Sequence, residues 1–411
     1  MLKSALNRLS ASLAKASPPR APSHRAFTEE SLARYGPGGY HPVRIGDMFS
    51  NGRYKVVSKL GYGVYSTVWL AFDQRAKRHF ALKILTADSY DGKHDTFETA
   101  ILRRIRSKGT NSRDPGPQHL LGLVDNFEHT GPHGNHVCLV FEATGPDMSR
   151  FRRLHPRSRV PVPLLKSITR QLLLALAFLH DTCKVVHCDI KPKNLLIITP
   201  KIASMFSSLP PDTFRPKRAP LPPPDDYYME SSQMSSAEED LAHVSSVSVR
   251  LADFGTASWI DRHLNEWIQP QMLRSPEVIL GAPWDHKVDI WNLGLIIWEL
   301  AEGSLMFDGS WTAQAPYSSE AHLAQMQAIL GDMPQSLLAR SKDRNSFFGD
   351  DGHLRRPSTF PHMPLESICR NPAMTGSDKL LFLSLIADMI RLEPQARPDA
   401  RDLLLHPWLK Q

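Results

Sequence analysis

Short runs of β-branched and aromatic residues, separated by turn residues, characterise the chain from residue 54 to residue 143. They predict strands over residues 54–60, 67–71, 80–85 and 136–142. One helical stretch, residues 95–106, lies between the third and the fourth of these strands. The pattern therefore predicts a small β-rich lobe that contains one helix.

From residue 144 onward the apolar residues recur at helical spacing. The spacing predicts helices over residues 163–180, 289–301, 378–392 and 399–408. A β-rich lobe followed by a larger helical lobe is an α+β architecture. We therefore expect one two-lobed domain over residues 54–409, with an N-lobe of residues 54–143 and a C-lobe of residues 144–409.

Residues 200–245 fit neither lobe. Eight prolines are followed by a serine-rich, acidic stretch over residues 230–240, and no apolar period is visible. Such a composition predicts a disordered insertion inside the domain. Deletion of residues 205–240 is accordingly expected to leave catalysis intact.

The formal net charge of +7 is concentrated at the N-terminus. Residues 1–53 hold eight Lys or Arg and three Asp or Glu, which is +5, and the remainder carries only +2. This distribution does not indicate a nucleic-acid-binding surface on the main domain. Residues 1–53 are expected to be a largely disordered basic tail. The acid-free, amphipathic start over residues 1–27 also has the features of a mitochondrial presequence.

The composition is that of a globular protein, with 411 residues of which 41% are hydrophobic. The longest apolar run, residues 172–179, is shorter than the roughly 18 residues needed to cross a bilayer. The four cysteines, Cys138, Cys183, Cys188 and Cys369, form no CxxC pair. We expect a soluble protein with reduced thiols.

A glycine-rich turn joins the first two predicted strands. Gly61, Gly63 and Ser66 have the spacing of a loop whose backbone N–H groups approach phosphate oxygens. A Rossmann turn would lead into a helix, whereas a strand follows here. Lys83 lies 22 residues after Gly61, and Glu98 lies 15 residues further on in the predicted helix. A carboxylate at that position can orient a lysine that binds nucleotide phosphates.

Three further motifs follow in order: His-Cys-Asp-Ile-Lys-Pro-Lys-Asn at 187–194, Asp-Phe-Gly at 253–255 and Arg-Ser-Pro-Glu at 274–277. With the earlier three features, they resemble the eukaryotic protein kinase family from residue 54 to residue 408. The resemblance implies a two-lobed kinase fold and transfer of phosphate from ATP to protein hydroxyls. Lysine two residues after the aspartate is the serine/threonine-kinase pattern.

The resemblance also implies site residues. Asp189 would accept the proton of the substrate hydroxyl, and Lys191 would steady the γ-phosphate. Asn194 and Asp253 would hold two Mg²⁺ ions. The implied nucleotide-binding residues are Leu60, Gly61, Gly63, Ser66, Val68, Ala81, Lys83, Glu98, Phe141, Glu142, Ala143 and Leu196.

Other motif residues are expected to have structural roles. Asp289 resembles the helix aspartate that braces the catalytic loop. Glu277 and Arg397 resemble a buried ion pair below the substrate platform. His187 and Phe254 are expected to pack in the core, although they lie inside catalytic motifs.

Among kinases the chain is similar to the SR-protein kinase family. The shared features are Ser66 in place of the third loop glycine, the 187–194 motif, Asp-Ile-Trp at 289–291 and a spacer before the Asp-Phe-Gly motif. This similarity implies Arg/Ser-rich splicing factors as protein partners and a cytoplasmic and nuclear location. It implies neither a direct nucleic-acid partner nor a transmembrane segment.

The chain departs from that family at several positions. Pro270 replaces a threonine and Leu273 replaces a tyrosine. Residues 308–330 contain only Asp308 and Glu320 as acids, where the family has an acidic docking groove. Two alternatives therefore stay open: an ATP-binding pseudokinase scaffold, and a kinase whose substrates lack Arg/Ser repeats.

The activation segment, residues 253–277, is short. Cys188 stands where many kinases have an arginine that pairs with a phosphate on this segment. The segment's only hydroxyl side chains are Thr256, Ser258 and Ser275. We therefore expect activity without phosphorylation of this segment, unless Arg262 or Arg274 replaces the missing arginine.

Overall fold

An antiparallel six-stranded sheet forms most of the N-lobe, with strand order β1-β2-β3-β4-β6-β5. The computed structural model describes residues 29–90, 96–216, 219–231 and 241–410. The strands are β1 (Met48–Phe49), β2 (Tyr54–Gly63), β3 (Ser66–Asp73), β4 (Arg78–Leu85), β5 (Leu123–Gly131) and β6 (Gly134–Glu142). Helix α1 (Glu98–Gly109) connects β4 to β5 and buries Ile101, Leu102 and Ile105. The predicted β-rich lobe with one helix is confirmed.

The sequence pattern missed β5 (Leu123–Gly131). Asp, Asn, Glu, His and Thr occupy most of this strand, and only Leu123 is fully buried. A strand that lies at the sheet edge and leaves most of its side chains partly exposed lacks the apolar alternation that identifies strands.

The C-lobe is helical. Its helices are α2 (Met148–Arg153), α3 (Val162–Ala177), α4 (Pro200–Ser208), α5 (Pro276–Ile279), α6 (Lys287–Glu302), α7 (Ser319–Leu330), α8 (Gln335–Ala339), α9 (Arg344–Phe347), α10 (Leu365–Ile368), α11 (Gly376–Met389) and α12 (Ala400–Leu403). Every residue of α6 is buried, so this helix is the centre of the lobe. The helix predicted over residues 399–408 is interrupted. It stops at Leu403, and Pro407, which cannot continue the hydrogen-bond ladder, begins a separate 3₁₀ turn.

Helix α3 continues as a π-helical turn over Phe178–Cys183. In the part of the chain that the structure describes, Val162–Cys183 is the one helix with the length and hydropathy of a membrane span. Its apolar face, which includes Leu165, Ile168 and Leu172, is buried in the C-lobe core. The helix is therefore the core helix of this lobe.

Two small antiparallel ribbons lie where the lobes meet. Strand β7 (Val185–Val186) pairs with β10 (Ser258–Trp259), and β8 (Leu195–Ile198) pairs with β9 (Ser248–Leu251). The 187–194 motif lies between β7 and β8, and the Asp-Phe-Gly motif lies between β9 and β10. The ribbons therefore bring two motifs together that are about sixty residues apart in the chain.

The insertion is packed where the structure describes it, so the prediction of a disordered insertion is wrong for residues 200–216, 219–231 and 241–245. Thr199 caps α4 by accepting a hydrogen bond from the backbone N–H of Ile202. Phe206 on α4 is buried in the large core cluster that spans both lobes, and Met229 is buried in the core on the other face of the N-lobe sheet. Isolated anchors of this kind produce no apolar period, and deletion of the segment would uncover both cores. Residues 232–240 lie outside the described residues.

The N-terminal tail requires a similar correction. Residues 1–28, and with them the presequence-like stretch, lie outside the described residues. From residue 29 onward the chain packs on the N-lobe sheet, where Tyr40, Val43 and Phe49 are buried. These three residues are too few and too widely spaced for a sequence pattern to separate them from a tail.

Three histidines of the N-lobe make its stability dependent on pH. The His41 ring lies edge-on to His129 and His136, with ring centroids 4.6 Å and 5.0 Å away. Burial lowers the pKa of all three, that of His41 to about 3, while Asp47 partly offsets this at His129. An unfolded histidine titrates near 6.5, so below that pH the unfolded chain takes up protons that the folded protein excludes.

We expect the free energy of unfolding to fall below about pH 6.5, by up to about 1.4 kcal/mol per pH unit for each histidine that stays neutral. Urea unfolding at about pH 7.5 and pH 5.5 measures this fall. His41→Phe keeps a ring at the same position and should show a smaller difference between the two pH values. An equal difference in the variant would show that His41 does not contribute.

Candidate active site

The two lobes enclose a cavity of about 280 Å³. Its walls are mainly apolar and come from both lobes, because β2, β3, β4 and β6 form the roof and β8 the floor. The predicted site residues that line it are Leu60, Gly61, Gly63, Ser66, Val68, Ala81, Lys83, Glu98, Phe141, Glu142, Asn194, Leu196 and Asp253. Ala143 is buried beside this cavity and does not line it.

A larger adjoining cavity of about 1230 Å³ contains the remaining predicted residues, Asp189 and Lys191. Lys83, Asn194 and Asp253 line both cavities. The apolar cavity suits a flat ring system, and the larger, more polar one suits charged groups. The arrangement therefore matches a nucleotide whose base lies inside and whose phosphates lie toward Asp189.

Several residues of the inner cavity were not predicted from the sequence, namely Tyr62, Leu121, Thr144, Gly145, Pro146, Asp147, Lys193, Ala252 and Phe254. Thr144 to Asp147 directly follow the predicted end of the N-lobe at residue 143, so their place in the chain was a usable signal. Leu121 has no such signal. It reaches the cavity because its N–H donates to the Leu251 carbonyl, 130 residues away in the chain.

Lys83 connects the lobes at the polar end of the inner cavity. Its Nζ lies 2.6 Å from a Glu98 oxygen and 2.9 Å from a carboxylate oxygen of Asp253. Burial alone would lower the pKa of Lys83, but the charges of Asp253 and Glu98 outweigh it and raise this pKa. The Lys83 charge in turn lowers the pKa of Asp253 to about 2. Lys83 and Asp253 are therefore ionised at neutral pH, as phosphate and cation ligands must be.

Asp189 lies in a hydrogen-bonded group of the catalytic loop. Lys191 Nζ donates to Asp189 Oδ2 at 2.5 Å, and Asn194 Nδ2 donates to Asp189 Oδ2 at 3.0 Å and to its backbone carbonyl at 2.9 Å. These bonds fix the orientation of the Asp189 carboxylate. Asn194 donates both of these hydrogen bonds from its amide nitrogen. The acceptor atom of its side chain is therefore the amide oxygen.

The backbone of the loop is braced from below by Asp289 on α6. Its buried carboxylate accepts the N–H groups of His187 at 2.8 Å and Cys188 at 3.0 Å, and it pairs with His180 Nε2 at 2.9 Å. Burial would raise the pKa of Asp289, but the hydrogen bonds from His180 and His187 lower it. Cys188 has a φ of +67°, and these bonds hold that strained backbone.

The residues with an expected structural role are buried, as that role requires. His187 and Phe254 are fully buried with ring centroids 5.1 Å apart. Arg397 forms a two-pronged ion pair with Glu277, at 2.6 Å and 2.8 Å, and both side chains are inaccessible to solvent. Phe254 also lines the inner cavity, whereas His187, Glu277 and Arg397 line neither cavity.

Pro270 has no hydroxyl group with which to bridge residues of the catalytic loop. The neighbouring Gln269 forms hydrogen bonds to that loop and to the C-lobe. The Gln269 backbone N–H donates to the Cys188 carbonyl at 3.1 Å. Its side-chain oxygen accepts from Ser275 Oγ at 3.1 Å, and its amide nitrogen donates to the Val288 carbonyl at 3.0 Å. The activation segment is therefore attached to the catalytic loop through the Gln269 backbone.

The fold, the cleft between the lobes and the order of the motifs define a protein kinase. The protein kinase domain model matches residues 54–207 and 233–409. A serine/threonine-protein kinase SRPK of Physarum polycephalum is 33% identical over 93% of this chain and 91% of that protein. Human SRSF protein kinase 3 is 26% identical over 93% of this chain and 90% of its own length. The chain belongs to the SR-protein kinase family of serine/threonine protein kinases.

Proposed function

We propose that the chain is an active kinase in which Asp189 is the catalytic base that accepts the proton of the substrate hydroxyl. The observation that supports this is the meeting of Lys83, Asp189, Lys191, Asn194 and Asp253 around one pair of joined cavities. A scaffold that only binds ATP would not need the Asp189 group. A carboxylate held within hydrogen-bond reach of a lysine suits a base that acts on a neutral hydroxyl.

In this proposal Lys191 stabilises negative charge as the phosphoryl group moves, because it lies directly beside the Asp189 carboxylate. Lys83 binds the other phosphates and is oriented by Glu98. The apolar walls of the inner cavity exclude water from the nucleobase.

Asn194 and Asp253 fit a Mg²⁺ site. Their amide and carboxylate oxygens are hard ligands, and Asp253 stays ionised because Lys83 lowers the pKa of its carboxyl. Half of the Asp253 side chain is exposed to the cleft. Mg²⁺, when bound with ATP, neutralises the charge of the phosphates.

We further propose that the protein substrates are Arg/Ser-rich factors of mRNA processing. The support comes from the relatives, among which the human, mouse and pig proteins are named SRSF protein kinase 3. A second class of substrate, without Arg/Ser repeats, is favoured by the surface around residues 308–330. Glu320 lies 3.8 Å from Arg356, and Asp308 accepts from the side chain of Gln325 at 2.7 Å. Both acids of this surface are thus partly satisfied within the protein.

Three peptides of equal length and with the same number of serines distinguish these classes: an Arg-Ser repeat, a peptide with proline after each serine, and an acidic peptide. We expect the highest kcat/KM for the Arg-Ser peptide. Arg356→Ala frees Glu320 and should raise that value further without changing the other two. Preference for either other peptide, together with no effect of Arg356→Ala, would establish the second class.

The activation segment provides few positions for a regulatory phosphate. Ser258 and Ser275 are fully buried, and Thr256 is exposed. Ser258 Oγ accepts from the N–H of Leu264 at 2.9 Å, so it serves to shape the segment. Cys188 is buried as well, so no charged group stands at its position.

Arg262 and Arg274, the two candidates to replace the arginine that is missing at Cys188, have other partners. Arg262 lies over the ring of Phe97, 4.5 Å from its centroid. Arg274 donates to the carbonyls of Ile268 and Gln269, at 2.9 Å each. The segment is therefore held in place by contacts that involve no phosphate.

We expect bacterially expressed protein to transfer phosphate at the same rate before and after phosphatase treatment. The physical reason is that the contacts of Arg262, Arg274 and Gln269 already order the segment. Thr256→Ala should also keep the wild-type rate. Loss of activity on dephosphorylation, with recovery by an added upstream kinase, would overturn this account.

A further inference from the structure

A tyrosine that precedes the kinase domain touches the glycine-rich loop from outside. The Tyr40 hydroxyl lies 2.8 Å from the Gly63 carbonyl oxygen and 3.0 Å from that of Val64. Both carbonyls belong to the turn between β2 and β3. The hydroxyl has one proton, so it donates to either carbonyl or is shared by both.

The direction of these carbonyls determines where the loop N–H groups point. In a trans peptide the C=O and the next N–H point in opposite directions. Because the carbonyls of Gly63 and Val64 face Tyr40, the N–H groups of Val64 and Tyr65 face away from it. Val64 and Tyr65 line the larger cavity together with Asp189, whereas Tyr40 does not. The two N–H groups therefore point away from Tyr40, and they belong to residues that line the cavity suited to the phosphates.

A second contact connects the same loop to the same segment. The Arg34 guanidinium lies between the rings of Tyr40 and Tyr65, 5.5 Å and 5.9 Å from their centroids. Asp88 pairs with Arg34 at 3.4 Å, and the Tyr40 N–H donates to the Arg34 carbonyl at 2.8 Å. The loop tip is thus attached to the N-terminal segment by a hydrogen bond and by a stacked cation.

The insertion supports this segment from the other side. The Tyr35 ring packs between Tyr40 and Tyr227, with centroids 5.4 Å and 4.7 Å away. Tyr227 belongs to the part of the insertion that also places Met229 in the N-lobe core. Tyr35 and Tyr227 therefore form the aromatic surface against which Tyr40 packs.

A buried cluster of charged side chains holds this aromatic surface on the sheet. Lys59 on β2 is inaccessible to solvent and lies 2.5 Å from Glu30 and 3.2 Å from Glu29. Lys59 Nζ also donates to the Met229 carbonyl, and Ser231 donates its N–H and its hydroxyl to Glu29. A buried cation with these partners binds the N-terminal segment and the insertion to the sheet, since separation would leave charges unpaired.

We propose that Tyr40 is a positioning residue for phosphoryl transfer, which rests on the proposed kinase function. Its hydroxyl holds the turn at Gly63 and Val64 so that the N–H groups of Val64 and Tyr65 are already directed toward the nucleotide phosphates. A loop that is ordered before binding loses less conformational freedom when ATP arrives. A segment that precedes the matched kinase domain in the chain thereby contributes to the affinity for the nucleotide.

Tyr40→Phe tests this proposal because it removes the hydroxyl and keeps the ring. We expect the KM for ATP to rise about 3- to 10-fold, the range that one lost hydrogen bond supports, with the KM for the protein substrate unchanged. Binding of a fluorescent ATP analogue should weaken by the same factor. Hydrogen exchange of the 61–66 amides should become faster.

Tyr54→Phe is the matched control, because Tyr54 is also buried in the N-lobe and donates its hydroxyl to Asp125 at 2.9 Å, on the opposite end of β2. We expect this variant to bind the analogue as the wild type does, even if both variants lose a few degrees of melting temperature. Equal analogue affinity of Tyr40→Phe and the wild type overturns the proposal. Normal analogue binding by a wild type that transfers no phosphate would instead refute the kinase function.

Discussion

Asp189→Asn should reduce kcat by a factor of about 10² to 10⁴ and leave nucleotide affinity within about twofold of the wild type. The amide has nearly the same shape as the carboxylate and can still meet Lys191 and Asn194, but it cannot take up the proton of the substrate hydroxyl. The measurement is steady-state phosphorylation of a peptide, together with a separate binding titration of the nucleotide.

Asp181→Asn is a suitable control for this experiment. Asp181 belongs to the same lobe, is half-exposed and pairs with Arg401 at the surface, at 2.9 Å. The control should keep the wild-type kcat. If Asp189→Asn retained more than about one tenth of the wild-type kcat, Asp189 would not be the base.

Arg397→Met should lower the free energy of unfolding by about 3–5 kcal/mol, because it leaves the Glu277 carboxylate buried without its partner. The loss extends to two carbonyls, since Arg397 also donates to Arg391 at 2.8 Å and to Lys287 at 3.1 Å. Urea unfolding followed by tryptophan fluorescence measures it, and Trp291, over which Arg397 lies, reports on the same region.

Arg401→Met controls for the loss of an arginine four residues away. Arg401 is more than half exposed, so its surface pairs contribute no more than about 1 kcal/mol. The double variant Glu277→Met/Arg397→Met should recover part of the stability, because it removes the unpaired charge. A double variant as unstable as Arg397→Met alone would show that the carbonyl contacts, and not the ion pair, account for the loss.

The motifs of the site were readable in the sequence because each is short and local. Gly61, Lys83 and Asp253 lie in turns or strands whose spacing is set by the backbone geometry of the sheet. The ordered series predicted that Glu98 would orient Lys83, and Lys83 Nζ lies 2.6 Å from a Glu98 oxygen. Its 2.9 Å contact with Asp253 was not predicted.

Leu121 in the inner cavity shows the opposite case. It is a common residue in an ordinary local setting, and its place at the cavity follows from its hydrogen bond to Leu251, which is distant in sequence. The same holds for Gln269, whose contacts to Cys188 and Val288 depend on how the activation segment folds back on the C-lobe.

The sequence by itself determined the family, the two-lobed α+β fold and the order of the catalytic motifs, since these depend on local spacing and on the change from strand to helix periodicity. The tertiary structure alone decided that residues 29–53 and much of the insertion belong to the folded N-lobe. Phe206, Met229 and Tyr40 are single anchors with no period around them, and the surfaces that bury them are formed by strands far away in the chain. Composition averages over such a segment, whereas folding depends on whether its few apolar residues find a complementary surface.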